Sequence, residues 1–279
     1  MLGSDTKFCL TLICQQYTTL INCFESHKSR TQIQMILLFL KPIKRQPLKY
    51  FFALFFLFPY LISAQTDFKK AEQFFQKGNY ADAKELFLDL YKKKPSDAKV
   101  AEYLGDIEGY GKHWDSAIGY YEKLKNQYPT EADYFYKYGG ALGMKASESN
   151  KFKALGMIDE VEESFLKAIK LDPKHIGARW ALVELYLQLP AIIGGSEKKA
   201  QKYSSELLKI SSVDGYLSKG HIAEYFKRYP EAEKNYKKAV EIGGSKTTYQ
   251  KLANLYKNKM KQPEKAKATL EEFTEKSKT

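Results

Sequence analysis

Apolar residues recur along this chain at helical spacing, and the whole set then recurs one period later. Ala83, Phe87 and Leu90 stand at i, i+4 and i+7, and Ala117, Tyr121 and Leu124 repeat that set 34 positions on. Each set marks one face of a 3.6-residue helix. Pro95 and Pro129, also 34 apart, close the two segments, because proline cannot continue a helix interior. Ala232 and Ala266 carry the same period toward the C-terminal end. A second apolar segment precedes each marked helix, and Leu104-Gly105 in one of them offers a small residue where a paired helix can approach closely. The pattern predicts an all-α chain of helical hairpins. One hairpin buries only one face by itself, so neighbours must stack to close a core.

The positions just quoted, with Gly78-Asn79-Tyr80 and Trp114 opening the marked helices, resemble the tetratricopeptide repeat (TPR), a helix-turn-helix unit of 34 residues. The resemblance covers roughly residues 66 to 279. It implies an all-α, right-handed superhelical solenoid of about six TPR helix pairs, with units near 65–97, 98–131, 132–175, 176–212, 213–246 and 247–279. Two units depart from the regular spacing. Gly139 to Val161 spans 22 residues where Gly105 to Ala117 spans 12, so about ten residues near Lys145 to Gly156 lengthen the third unit's inter-helix connection. In the fourth unit, Leu189-Pro190-Ala191-Ile192-Ile193-Gly194-Gly195 delays the small residue to Ala200. The last helix, Glu264 to about Lys276, reads as a terminal cap with Leu270 and Phe273 facing inward.

The amino end is a different kind of sequence. Lys41, Lys44, Arg45 and Lys49 precede an apolar run from Phe51 to Ala64 that ends in Ile62-Ser63-Ala64, the three regions of a secretory signal. A membrane span needs about 20 apolar residues, and this run has 14 with Pro59 inside it. Residues 35–64 are therefore expected to be a signal peptide cleaved before Gln65. Residues 1–34 are expected to be a disordered upstream segment, with translation starting at Met35 or Leu48 instead. Cys9, Cys14 and Cys23 all lie ahead of that cleavage point, so the mature chain has no thiol chemistry and no lipid attachment point. The implied location is periplasmic or secreted, with no stable membrane anchor once the signal is removed.

Charge and chemistry narrow the function classes. The whole chain is +12, but removal of the leader leaves 38 basic and 31 acidic residues. The lysine groups, such as Lys92 to Lys94 and Lys237-Lys238, fall at helix ends, where cations suit the helix dipole. No nucleic-acid reader fold accompanies them, so no nucleic-acid partner is expected. His113, His175 and His221 fall in different units, and neither metal-ligand spacing nor a phosphate loop or nucleophile elbow is present. The expectation is a chain that is not an enzyme and uses no cofactor or metal.

TPR solenoids use the face formed by their first helices. The register sends Phe68, Glu72, Phe75, Glu102, Asp106, Asp133, Tyr136, Leu185, Gln188, Leu217, His221 and Glu224 there, a mixed groove with acidic character in its early units. The terminal-carboxylate clamp of chaperone-type TPR domains is absent, because Glu72, Asp106, Gly140, Leu185, His221 and Leu255 occupy the positions where its asparagines would stand. Gly194-Gly195 permits positive φ, and Ser196 can cap the next helix, whose exposed amides suit an anion. The binding candidates are Tyr136, Gln188, His221 and Glu224 in the groove and Gly194, Gly195 and Ser196 in the insert. The implied function is a protein- or peptide-binding scaffold of the cell envelope; the alternative is a small-ligand or glycan binder that uses the long loops of the third and fourth units as a rim.

Overall fold

The computed structural model describes residues 66–278. Every helix described below belongs to one compact unit, Ala64–Thr279. The upstream segment and signal peptide expected from the sequence lie outside the described residues.

Among the described residues the secondary structure is helical throughout, with no strand. Helix α1 spans 66–76. It is followed by α2 (Tyr80–Lys93), α3 (Ala98–Tyr110), α4 (Trp114–Gln127), α5 (Ala132–Glu148), the short α6 (Lys151–Leu155) and α7 (Ile158–Leu171). Then come α8 (Ile176–Gln188), α9 (Glu197–Ile210), α10 (Ser212–Tyr225), α11 (Tyr229–Gly243), α12 (Lys246–Asn254) and α13 (Pro263–Lys276). The pairs are α1/α2, α3/α4, α5/α7, α8/α9, α10/α11 and α12/α13, and each described pair packs on the next. This is an α-solenoid of six helix pairs.

Local chemistry sets the helix ends. Asp97, Ser196, Ser211 and Ser245 each accept a hydrogen bond from the backbone N–H three residues on, which satisfies one of the orphan donors of a helix start. Asp82, Asp115, Asp159, Glu197, Glu231 and Glu264 sit in the first turns of the second helices, and Lys92, Lys125, Lys170, Lys209 and Lys276 in their last turns. Both placements follow the helix dipole. Lys198 and Lys199 are in the first turn of α9 instead, where Lys199 lies over the Tyr186 ring at 4.7 Å.

One packing rule recurs down the stack. A small residue on the first helix receives an aromatic ring from the second. A Cβ built on Gly105 would stand 2.6 Å from Tyr121 Cε1, on Gly139 3.0 Å from Phe165 Cε1, and on Gly220 2.4 Å from Tyr236 Cε1. Ala71 and Phe87, both fully buried, occupy the matching positions of the first pair. The two tryptophans tie neighbouring pairs across one full period: Trp114 Nε1 donates to Glu148 at 2.8 Å and Trp180 Nε1 to Asp214 at 2.9 Å.

The turns from first to second helix share a backbone device. Gly78, Lys112, Lys227 and Lys261 lie at φ of 75°, 59°, 58° and 57°. After the first three, the next amide reaches back five residues: Asn79 to Phe74, His113 to Glu108 and Arg228 to Ala223. This is the left-handed close that satisfies carbonyls at a helix end.

Three sequence expectations change. The extra residues of the third unit are mostly helical: α5 runs on to Glu148 and α6 follows. The added turn of α5 is held by Glu148, which takes bonds from both Trp114 and Lys112. Leu270 is 42% exposed rather than inward; Ala266 and Thr269 fill the inner positions of α13, and Phe273 half-buries against Tyr249. No helix pair among the described residues covers the next position round the helix. Leu217 is buried rather than groove-lining. The extension of α12, Leu255–Lys259, is a π-helical turn that sinks Leu255 and Tyr256 into the core.

Candidate binding groove

The first helices present most of their polar residues to one another rather than to an open groove. Lys137 Nζ on α5 donates to Glu102 at 2.7 Å and to both oxygens of Asp106 at 2.7 and 2.8 Å on α3. Tyr121 O–H donates to Asp106 and Tyr103 O–H to Glu72. Burial works to lower the Lys137 ammonium's pKa, but bonds to Asp106 and Glu102 outweigh it and hold it above the ordinary lysine value. Burial, with Glu72 beside it, pushes the Tyr103 phenol up to about 12. The acidic character expected of the early groove is therefore largely consumed in helix-to-helix bonds.

Further along, α5 and α8 part enough to leave a pocket of about 490 Å³. Tyr136, Met144, Leu185 and Ala181 form its walls, and Val161 and Phe165 of α7 lie behind them. Gly140 and Gly143 make the opening: a Cβ on Gly140 would meet no heavy atom within 4 Å. Ser147, Glu184 and Gln188 complete the lining and are its polar groups. The Tyr136 ring is held 4.9 Å from the His175 ring and 6.1 Å from Phe165. His175 is itself fixed, accepting from Ala178 N through Nδ1 and donating to Asp133 through Nε2 at 3.0 Å.

Glu184 organises the polar side of the pocket. His221 Nε2, one unit on, donates to it at 2.7 Å, and Gln188 Nε2 donates at 2.7 Å. The hydrogen bond from His221 holds the Glu184 carboxyl below the usual range, against partial burial.

The sequence candidates separate accordingly. Tyr136 and Gln188 line one pocket, and His221 reaches the same wall through Glu184. Glu224 turns back to its own hairpin, accepting from Tyr236 O–H at 2.8 Å. Gly194, Gly195 and Ser196 form a turn that closes on α8. Gly194 sits at φ 101°, and a Cβ on Gly195 would fall 1.8 Å from Leu189 O. Ser196 N donates to Tyr186 O, and Ser196 Oγ accepts from Lys199 N. Neither this turn nor α6 lines the pocket. Sequence reading missed Glu184, Met144 and Gly140 as pocket groups; the run Gly139-Gly140-Ala141-Leu142-Gly143 was the available signal. A wider cavity of about 730 Å³ lies between α11, α12 and α13, but Tyr256 and Tyr249 in its wall are bonded to Glu233 and Glu272. Among the described residues, no group of three or more His, Cys, Asp or Glu is placed to hold a metal ion.

Stacked hairpins with a groove on the first-helix face define a helical-repeat protein. Two family models, both described as tetratricopeptide repeat, match the chain, one at residues 102–130 and 247–278 and the other at 152–175 and 213–242. The chain carries tetratricopeptide repeats at these residues. No curated protein matches it significantly. Among solved structures, a TPR protein of Thermus thermophilus is similar at TM-score 0.58 and 16% identity, over 69% of this chain and 98% of that one. A tetratricopeptide-repeat protein of Parabacteroides merdae is similar at TM-score 0.51 and 18% identity, over 75% and 78%. The human IFIT1 dimer with m7Gppp-AAAA is similar at TM-score 0.56 and 17% identity, over 77% and 55%. Identities this low show the fold alone. The fold is that of a protein–protein interaction scaffold, and TPR proteins are generally non-catalytic.

Proposed function

We propose that this chain is an exported scaffold that docks an extended peptide or protein segment along its first-helix face, seating one bulky apolar side chain between α5 and α8. The observation that carries this is the pocket itself: apolar walls, a glycine-opened mouth, and a polar rim of Gln188, Ser147 and the Glu184–His221 pair. Concave apolar sites with a few fixed polar groups are the ordinary form of a recognition site. The rim supplies a donor and acceptors for a peptide main chain, and the pocket selects the side chain.

Gly140→Leu tests this directly, because the new side chain enters open space in the pocket mouth. Random peptides displayed on phage are selected against the wild type and the variant. Enrichment of peptides with Leu, Met or Phe at a fixed position, lost with Gly140→Leu, is expected. Equal enrichment on both proteins would remove the pocket from the recognition surface.

Export is supported by the charged and apolar pattern of residues 41–64. The chain recovered from the periplasm or medium is expected to begin at Gln65; a cytosolic product with an intact leader would contradict this.

A further inference from the structure

Two side chains project from the solenoid far more than any other large apolar residue described. Phe152 and Ile192 are each 92% exposed, against 62% for the next, Tyr110. They belong to the inserts of the third and fourth units, Phe152 to α6 and Ile192 to the 3₁₀ turn Ala191–Ile193. Each insert directly follows a first helix. The two helices, α5 and α8, run in the same sense and line one pocket together, so both inserts emerge at the same edge, where the first helices turn into the second.

The charge of that edge is the second observation. Lys151 and Lys153 flank Phe152, and Lys198 follows the insert carrying Ile192. Lys227 and Lys261 stand at the equivalent turns of the last two units. None of these five lysines makes an ion pair among the described residues. The acidic residues of the edge are mostly spent: Asp115 pairs with Lys145, Glu148 with Lys112, and Glu197 and Glu231 with Arg228. Asp82 takes a bond from Asn79, which leaves Asp159 and Glu264. Lys112, Lys227 and Lys261 occupy left-handed backbone where Gly78 serves in the first unit. A residue other than glycine is disfavoured there by about 1 kcal/mol, so lysine stands at these tips despite a local backbone cost.

We propose that this edge rests reversibly on an anionic lipid surface, with Phe152 and Ile192 entering the headgroup region and the unpaired lysines lying over lipid phosphates. Protruding apolar side chains set among unpaired cations match an interfacial lipid contact. A protein interface centres instead on a packed, desolvated pocket, and the edge offers none at these two residues. Among the described residues no helix is long and apolar enough to cross a membrane, so the contact is peripheral. It does not depend on the peptide reading, since the pocket faces the groove.

The test is a lysine-acetylation footprint of the full chain on vesicles of phosphatidylcholine alone or with roughly a quarter phosphatidylglycerol. Site-by-site readout separates this edge from any attachment through the leader. Labelling of Lys151, Lys153 and Lys198 is expected to fall several-fold on the anionic vesicles and recover in high salt. Lys92, Lys93 and Lys174, at the opposite edge, are expected to keep theirs. Phe152→Asp with Ile192→Asp should weaken vesicle binding roughly tenfold or more and so remove most of that protection, since it replaces two inserting apolar groups by anions. Both side chains are exposed, so an unchanged thermal melt certifies the variant's fold. Protection equal at the two edges, protection unaltered in the double variant, or protection by soluble single-stranded DNA but not by vesicles would each overturn the proposal.

Discussion

Gly220→Ala puts the packing rule of the solenoid to its sharpest test. The new methyl would lie 2.4 Å from Tyr236 Cε1 and 2.5 Å from Cδ1, well inside contact distance. Tyr236 is fully buried and its O–H donates to Glu224 at 2.8 Å, so the ring cannot step aside without straining that bond. Alanine gains about 1 kcal/mol over glycine in a helix interior, while overpacking a filled core costs typically 1–3 kcal/mol. A weakened bond to a carboxylate adds about 1 kcal/mol more. The balance is a loss of about 2 kcal/mol, read as a lower urea midpoint by circular dichroism. Gly140→Ala is the control: the same residue change in a first helix, but with no heavy atom within 4 Å of the new Cβ. It should gain about 0.5–1 kcal/mol. Adding Tyr236→Leu to Gly220→Ala should recover part of the loss, with a coupling of about 1 kcal/mol. If Gly220→Ala proves as stable as the wild type, the close approach of helix and ring is not what holds the hairpin.

Other outcomes follow from the polar contacts. Lys137→Met leaves Glu102 and Asp106 facing each other at a partly buried site and should cost about 2 kcal/mol at pH 7. Because the loss is carboxylate repulsion, adding Glu102→Gln to Lys137→Met should recover part of it; no recovery would point to lost packing. The Tyr103 phenol has a raised pKa in the folded chain, so its contribution to stability is whole below about pH 10 and is lost as pH rises through about 12. Ultraviolet titration of wild type against Tyr103→Phe should show one phenol missing from that late phase. Lys227→Gly relaxes a left-handed residue and should raise stability by about 0.5 kcal/mol, the gain being limited by the freer unfolded chain; a clear loss would mean the lysine stem packs on its neighbours.

The helical hairpins were legible in the chain because period and amphipathic spacing are local properties: the positions of Ala83, Phe87 and Leu90 and their copies 34 residues on state a buried face without any knowledge of its partner. Gly105, which receives the Tyr121 ring, was legible as a close-approach position for the same reason. The groove was legible only in part. Register places Tyr136, Gln188 and His221 on first helices, but whether they meet depends on how far apart α5 and α8 stand, and that distance is set by ring sizes in the layer behind. Glu184 could not be singled out, since its role comes from His221, 37 residues away, reaching back across a unit boundary. The acidic groove dissolved for a related reason: Lys137 is one period from the carboxylates it neutralises, and only stacking brings them within 2.8 Å. Local periodicity thus determined what each hairpin is. The separation and offset between hairpins, a sum of many side-chain volumes, decided which surface residues are spent on the fold and which remain for a partner.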